Sequence, residues 1–213
     1  GTSWAGIPFN STFAMIGHGY MYTGFQPQIT YTSPNFGGLQ AAAGIFQPSK
    51  FVGNETKSPG LQAKVQYDWK GTMPGKVWGG LISQKTSCSN TTFGGNSCAG
   101  VNTFSASGNE AGVKVGAGNF EAVAYAFAGK GLGWSTIGAL FNAAGNPATG
   151  ERTKSSGQFL QGTYKFGNTK VGLNYGQNTD KDGLLVNNGR QIKNRSNTLG
   201  VYHTLNKYVT LVG

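Results

Sequence analysis

Acidic residues are scarce in this sequence, and charge of either sign is sparse. The 213 residues contain seven Asp and Glu against seventeen Lys and Arg, a formal net charge of +10, and charged residues make up only 11% of the chain. Hydrophobic residues reach 38%, below the roughly 45–50% of an average globular domain. Glycine supplies 36 residues instead. Strands suit this composition if each has one apolar face and one polar face.

Long apolar runs and cysteines are also scarce. No stretch approaches the roughly 18 consecutive apolar residues of a membrane-spanning helix, which excludes spanning by helices only. The two cysteines, Cys88 and Cys98, lie in a polar loop rich in Gly and Ser. We predict a local disulfide in an oxidising compartment. No His or acid stands near them, so they make a poor metal site. No catalytic residues, metal site or cofactor are expected.

Alternating side chains are what the sequence does contain. In residues 61–69, LQAKVQYDW, apolar side chains alternate with Gln62, Lys64, Gln66 and Asp68. Period two indicates a β-strand, because successive side chains point to opposite faces. We expect Leu61 and its apolar partners to face outward and Lys64 inward. The same criterion predicts ten strands, at 25–33, 39–48, 61–70, 76–86, 109–117, 119–129, 157–166, 170–177, 196–205 and 208–213, with minor helix confined to 1–24 or 134–145.

The connections between these strands alternate in length. SPNFGG, TMPG, Gly118-Asn119, Asn168-Thr169 and Asn206-Lys207 are short, whereas those around 48–60, 86–109, 129–156 and 178–196 are long. This puts the short turns at one end of an antiparallel, up-and-down sheet, and it is typical of an outer-membrane barrel. In lipid every backbone group needs an internal partner, so such a sheet must close. The predicted fold is therefore an all-β, transmembrane β-barrel.

Aromatic residues beside the short turns fit this prediction. They are typical of the aromatic belt at a membrane interface, although strand-end aromatics that pack on a soluble core would look similar. The residues are Tyr31, Tyr67, Trp69, Tyr164, Phe166 and Tyr208.

Three segments resemble the general porins of Gram-negative bacteria: ITYTSPNFGGLQAAAGI, FEAVAYAFAGKGLG and LGVYHTLNKYVTLVG. The resemblance implies a sixteen-stranded barrel in the outer membrane, assembled as a homotrimer among lipid and lipopolysaccharide. It implies a water-filled channel for passive diffusion of small hydrophilic solutes and ions. Residues 1–213 would be one partial barrel domain with about ten strands, the sixth to the fifteenth. Residues 1–24 would be the tail of the loop that folds into the pore, with His18, Tyr20 and Tyr22 at the constriction.

Parity assigns a set of polar side chains to the channel interior. A ring of bases in a water-filled lumen raises the local anion concentration, so we expect a weak preference for anions; the alternative is that these lysines only solvate the wall. The predicted lining residues are Lys64, Gln66, Lys114, Gln161, Thr163, Lys165, Lys170 and Asn174.

Two other classes of function remain open from the sequence. A soluble or surface-attached β-sandwich that binds carbohydrate could use Tyr and Trp side chains as stacking platforms and the Asn-rich loops as contacts. A nucleic-acid binder would need clustered bases with interleaved aromatics, and the bases here are scattered singly. Extraction separates the classes, because a porin needs detergent and the other two stay in solution.

Overall fold

The computed structural model describes residues 18–21, 26–48, 54–88, 103–132, 152–181 and 191–213. All regular elements in these ranges are β-strands, and none of their residues forms a helix long and apolar enough to cross a membrane. The strands are β1 (Gln28–Thr32), β2 (Leu39–Phe46), β3 (Asn54–Glu55), β4 (Gly60–Trp69), β5 (Gly75–Cys88), β6 (Thr103–Ala117), β7 (Phe120–Lys130), β8 (Lys154–Phe166), β9 (Thr169–Lys181), β10 (Gln191–Asn206) and β11 (Val209–Val212).

The strands form one antiparallel sheet in chain order, β1-β2-β4-β5-β6-β7-β8-β9-β10-β11. The short strand β3 pairs only with the far end of β5. All ten predicted strands are present, and the up-and-down order is confirmed. The described residues leave β1 and β11 as the two edges of the sheet.

The long connections were predicted too long. β6 begins at Thr103 rather than near 109, β9 continues to Lys181, and β10 already begins at Gln191. The strand β3 was not predicted at all. These strand ends, TFSASG, NTDK and QIKNR, carry mostly polar or small side chains on both faces, so no apolar alternation marks them as strand. The predicted helix at 134–145 lies outside the described residues.

Two turns differ from their predicted positions by one residue. The turn predicted at Asn168-Thr169 lies one residue earlier, and the one predicted at Asn206-Lys207 lies one residue later. The turn after β8 consists of Gly167 and Asn168, because Phe166 pairs with Thr169. Gly167 has a φ of 56°, a left-handed conformation that glycine adopts without strain. The turn after β10 consists of Lys207 and Tyr208, and the Oδ1 atom of Asn206 accepts the N–H group of Tyr208 at 2.9 Å.

One face of the sheet is apolar and exposed. Residues paired directly across strands share a face, and the row that runs from Leu39 on β2 to Leu160 on β8 is apolar at every strand. The exposed fraction of Leu61 is 57%, that of Leu173 64% and that of Leu199 63%. The alternation predicted for residues 61–69 is present, with Lys64 opposite Gly80 on the other face.

The small packed core lies on the opposite, mainly polar face. It consists of Phe46, Ala106, Phe127 and Leu132, against which Met21, Ile82 and Tyr125 pack. Alternation alone leaves the facing of β7 open, because its alanines alternate with Val123, Tyr125 and Phe127 while Glu121 shares the parity of these three. Pairing decides it, because Glu121 lies opposite Thr163 and Tyr125 opposite Phe159 on the polar face. The alanines of β7 therefore lie on the apolar face.

The short turns are staggered from hairpin to hairpin. The turn after β1 ends at Leu39, which shares a row with Leu160 of β8. The turns after β4, β6 and β8 lie in the rows of Gly162, Tyr164 and Phe166. Each hairpin thus ends two residues beyond the one before it. With about 3.3 Å per residue and about 4.8 Å between strands, this stagger corresponds to a strand tilt of about 35°.

Candidate functional site

The polar face gathers all eight residues that were predicted to line an interior. Gln161 pairs with Asn174, Lys165 with Lys170, and Lys114 with Val123 across from Gln161. Thr163 pairs with Glu121, and Gln66 pairs with Trp78, on the same face. The strict alternation of β4, β8 and β9 explains why parity placed them together without a structure.

A short segment of chain, residues 18–21, lies across this polar face. The N–H group of Gly19 donates to Oδ1 of Asn178 at 2.7 Å, and the N–H group of Met21 donates to the Tyr125 hydroxyl at 3.3 Å. The Tyr20 ring meets the Phe159 ring edge-on, with centroids 5.9 Å apart. The segment therefore passes from β9 over β8 to β7, transverse to the strands.

Glycine makes room for this segment on the sheet. A Cβ atom at Gly176 would collide with the carbonyl oxygen of His18. Any larger residue at that position would push the segment away from the wall. His18 and Tyr20, two of the three predicted constriction residues, are thus held against the polar face; the third, Tyr22, lies outside the described residues.

Tyr125 is the main anchor of the segment. Its hydroxyl donates to Oε2 of Glu110 at 2.5 Å while accepting from Met21. Its ring stacks near Trp78, with centroids 6.4 Å apart. Lys64 Nζ in turn lies 5.9 Å from the centroid of the Trp78 ring. Glu110, Tyr125 and Trp78 were not among the site residues predicted from the sequence.

A signal for Tyr125 exists in the sequence. Glu121, Val123, Tyr125 and Phe127 share one parity, and an acid is costly on a face that meets lipid. If the facing of β7 is assigned from Glu121 rather than from the aromatic side chains, Tyr125 is placed on the polar face. Asn178 could not be found in this way, because its part of β9 is polar on both faces.

Ion pairs offset part of the positive charge on the polar face. Lys114 Nζ lies 2.7 Å from Oε2 of Glu121, and Lys76 Nζ lies 3.2 Å from Oδ1 of Asp68. Among the described residues, the face carries five lysines and four acids, which are Lys64, Lys76, Lys114, Lys165, Lys170, Asp68, Glu110, Glu121 and Asp180. Its charges are therefore nearly balanced, in contrast to the whole chain.

Open space flanks the transverse segment on both sides. One cavity of about 450 Å³ is lined by Tyr20, Gln161, Lys170 and Asn174 among others. Another, of about 580 Å³, is lined by Met21, Gln62, Lys64 and Glu110 among others. No cluster of three or more His, Cys, Asp or Glu side chains that could hold a metal occurs within the described ranges. The arrangement offers open space on the polar face, interrupted by a strip of chain.

The tilted up-and-down sheet, with an exposed apolar face and a polar face crossed by chain, is the architecture of outer-membrane β-barrel proteins. The chain is similar in structure to the outer membrane channel DcaP of Acinetobacter baumannii, with a TM-score of 0.73 and 17% sequence identity over 99% of this chain. It spans 60% of the length of that channel. No curated protein sequence matches it.

The family model for Gram-negative porins matches residues 1–213. The chain belongs to this family of Gram-negative porins, and its location is the bacterial outer membrane. The resemblance that the sequence suggested is thereby confirmed.

Proposed function

We propose that the protein forms a water-filled channel for the passive diffusion of small hydrophilic solutes and ions, and that it is not an enzyme. The observation that carries the proposal is the transverse segment 18–21, hydrogen-bonded to Asn178 and Tyr125 on the polar face. A strip of chain fixed across the polar wall narrows a lumen without closing it, since open space remains on both sides.

The proposed lining consists of the predicted polar residues. Lys64, Gln66, Lys114, Gln161, Thr163, Lys165, Lys170 and Asn174 share the face that the segment crosses. Glu110 and Tyr125 join them as the support of the constriction.

A weak preference for anions belongs to the same proposal. Lys165 and Lys170 pair directly with each other near the short turns, so their charges add in one place. The paired Lys114 and Glu121 form a salt bridge and contribute little net field at a distance. The near balance of the face limits the preference to a small one.

Homotrimeric assembly and contact with lipopolysaccharide complete the proposal. Both are implied by family membership. The exposed apolar face, with Leu160 at 50% and Leu173 at 64% exposure, supports a surface that other molecules cover, since soluble monomers rarely expose large apolar patches. This observation disfavours a soluble β-sandwich.

Cysteine accessibility tests the channel directly. In a full-length protein whose two native cysteines are replaced by Ser, Gln161→Cys places a thiol on the polar face. A charged, water-soluble thiol reagent should then lower the single-channel conductance in a planar bilayer, because the added group occupies the lumen.

The neighbouring position supplies the matched control. Leu160→Cys lies at the same height on the apolar face, and the reagent should leave its conductance unchanged. Blockage through Leu160→Cys but not through Gln161→Cys would reverse the assignment of the faces. Absence of any conductance from the unmodified protein would contradict the channel itself.

A further inference from the structure

The cavity of about 580 Å³ beside Met21 has a base on one side and an acid on the other. Lys64 on β4 lies opposite Gly80 on β5, and Gly80 lies opposite Glu110 on β6. The two charged residues therefore share one row of the polar face, with a glycine between them. Neither belongs to the two ion pairs found within the described ranges. Their charges thus face the cavity without neutralising each other through contact.

The carboxylate of Glu110 is fixed in its position. Its Oε2 atom accepts the Tyr125 hydroxyl. Its Oε1 atom lies over the glycine, since a Cβ atom at Gly80 would lie 3.0 Å from it. Because Gly80 forms part of the cavity floor, the bond to Tyr125 orients one carboxylate oxygen for a donor that enters the cavity.

The ammonium group of Lys64 is placed at the other side. The side chain is exposed, and Nζ lies 5.9 Å from the centroid of the Trp78 ring. Two strand spacings of about 4.8 Å separate the Cα atoms of Lys64 and Glu110 by about 10 Å. The head group of an amino acid, with a charge-assisted hydrogen bond of about 2.8 Å at each end, fits within that distance.

The pair of opposite charges selects against ions of a single charge. A simple anion drawn to Lys64 is repelled by Glu110, and a simple cation drawn to Glu110 is repelled by Lys64. A solute that carries both charges on neighbouring atoms is attracted at both ends. The row therefore favours a zwitterion.

The cavity wall toward the long-loop end is apolar. Met21, Phe46 and Ile82 line the cavity and pack in one cluster. Ile82 follows Gly80 by two residues on β5, so it lies on the same face in the next row. An apolar group attached to a solute head group between Lys64 and Glu110 would meet this cluster.

The polar groups on the remaining side of the cavity bind one another. The Nε2 atom of Gln62 donates to Oε1 of Gln28 at 2.5 Å and to Oγ1 of Thr30 at 3.2 Å. Both amide protons of Gln62 are thereby used within the wall. This disfavours a polyhydroxylated solute such as a sugar, which would need many free donors and acceptors.

We propose that this cavity is a binding subsite for α-amino acids with an apolar side chain. The carboxylate binds Lys64, the ammonium group binds Glu110, and the side chain packs against Met21 and Ile82. The inference rests on the proposed function, because it takes the polar face as the wall of a water-filled lumen, and it names one class of solute for that lumen.

Saturation-transfer NMR of the full-length protein in detergent, with leucine as the probe, tests the subsite. Lys64→Gln and Glu110→Gln should each weaken leucine binding about fivefold, the effect of losing one partly exposed charge pair. Gln at position 110 still accepts the Tyr125 hydroxyl, so the wall should stay in place. Lys64→Arg keeps the charge and should keep binding.

Two matched variants control for charge alone. Lys76→Gln and Glu121→Gln remove one base and one acid from the same face, outside the lining of this cavity. Both should bind leucine like wild type. Equal weakening in these variants and in those of the cavity would overturn the inference, because the effect would then be that of net charge.

Modified ligands test the two charges separately. Leucinamide lacks the carboxylate and N-acetylleucine lacks the ammonium group, so each should bind wild type more weakly than leucine does. Glu110→Gln should not weaken binding of N-acetylleucine, and Lys64→Gln should not weaken that of leucinamide. Serine, with the same head group and a polar side chain, should also bind more weakly. Equal affinity of wild type for all four ligands would contradict the subsite.

Conductance in planar bilayers separates this inference from the proposed channel. Leucine should lower the ion current through the wild-type protein in a saturable way, because a bound solute occupies part of the lumen. A protein that conducts but does not bind leucine contradicts the subsite only. A protein that binds leucine but never conducts contradicts the channel only.

Discussion

The effect of an individual charge on ion preference depends on whether its side chain lies on the polar or the apolar face of the sheet. The sequence has a net charge of +10, and that imbalance motivated the expectation of an anion-preferring lumen. On the polar face, however, Lys114 is paired with Glu121 and Lys76 with Asp68. The preference should therefore be weak, and it should depend on lysines that no acid faces directly, chiefly the opposed pair Lys165 and Lys170.

The opposed lysines give a prediction for ion selectivity. Lys165→Gln/Lys170→Gln should shift the reversal potential in a KCl gradient toward cations, and Glu121→Gln should shift it toward anions. Both shifts should be large in dilute salt and vanish in concentrated salt, because the Debye length falls from about 30 Å at 0.01 M to about 3 Å at 1 M. Cation selectivity of the wild-type protein in dilute salt would contradict the proposed preference.

Tyr125 gives a second prediction at the same scale. Tyr125→Phe keeps the ring beside Trp78 but removes the donor to Glu110 and the acceptor for the Met21 N–H group. Leaving a partly buried acceptor unpaired costs about 1–3 kcal/mol. We expect a lower temperature of heat-induced unfolding and noisier open-channel current, as the transverse segment loses an anchor. Tyr164→Phe, on the apolar face, is the control and should change the current noise little; noise that is the same in both variants would argue against the anchor.

The strands show how far a sequence determines such a sheet. Wherever one face is apolar and the other polar, as in β4 or β8, alternation alone placed the strand and its facing. It failed where chemistry is the same on both faces, at the long-loop ends of β6, β9 and β10. It also left β7 undecided, because that strand carries Tyr125 and Phe127 on the polar face, where they pack with Leu132 and Trp78.

The candidate site was recovered from the sequence only in part. The polar-face residues proposed to line the channel follow from parity, whereas Asn178 and Glu110 became visible only through contacts between distant parts of the chain, such as the bond from Gly19 across 159 positions to Asn178. Sequence periodicity carries no information about such contacts.

The end of β5 gives a prediction at the scale of one element. β5 ends at Cys88, and Cys98 lies outside the described residues, so the disulfide between them stays a prediction. Closing a loop of this length should stabilise the protein by about 3 kcal/mol through the entropy of the unfolded chain. Intact-mass analysis after alkylation should show two additions only after reduction. Two additions without reductant, in protein from an oxidising compartment, would contradict the bond.

At the scale of the whole sheet, the tilt of the strands follows from the two-residue offset between successive short turns. That step tilts the strands by about 35° from the normal of the edge that the turns define, and outer-membrane barrels have tilts of about 35–45°. The same step brings the aromatics beside the turns to one level: Tyr67 lies beside Trp69 on β4, and Tyr164 beside Phe166 on β8.

Polarised infrared spectroscopy tests this geometry on the full-length protein in oriented bilayers. The amide I dichroism should give a mean strand tilt of about 35–45° from the membrane normal. The physical reason is that each strand must shift against its neighbour by about one residue for the short turns to lie in one plane. Strands nearly parallel to the normal would mean that the turns do not share a plane, and this would contradict the tilt that follows from the register. Urea-unfolded protein in the same lipid, without dichroism, serves as the control for orientation.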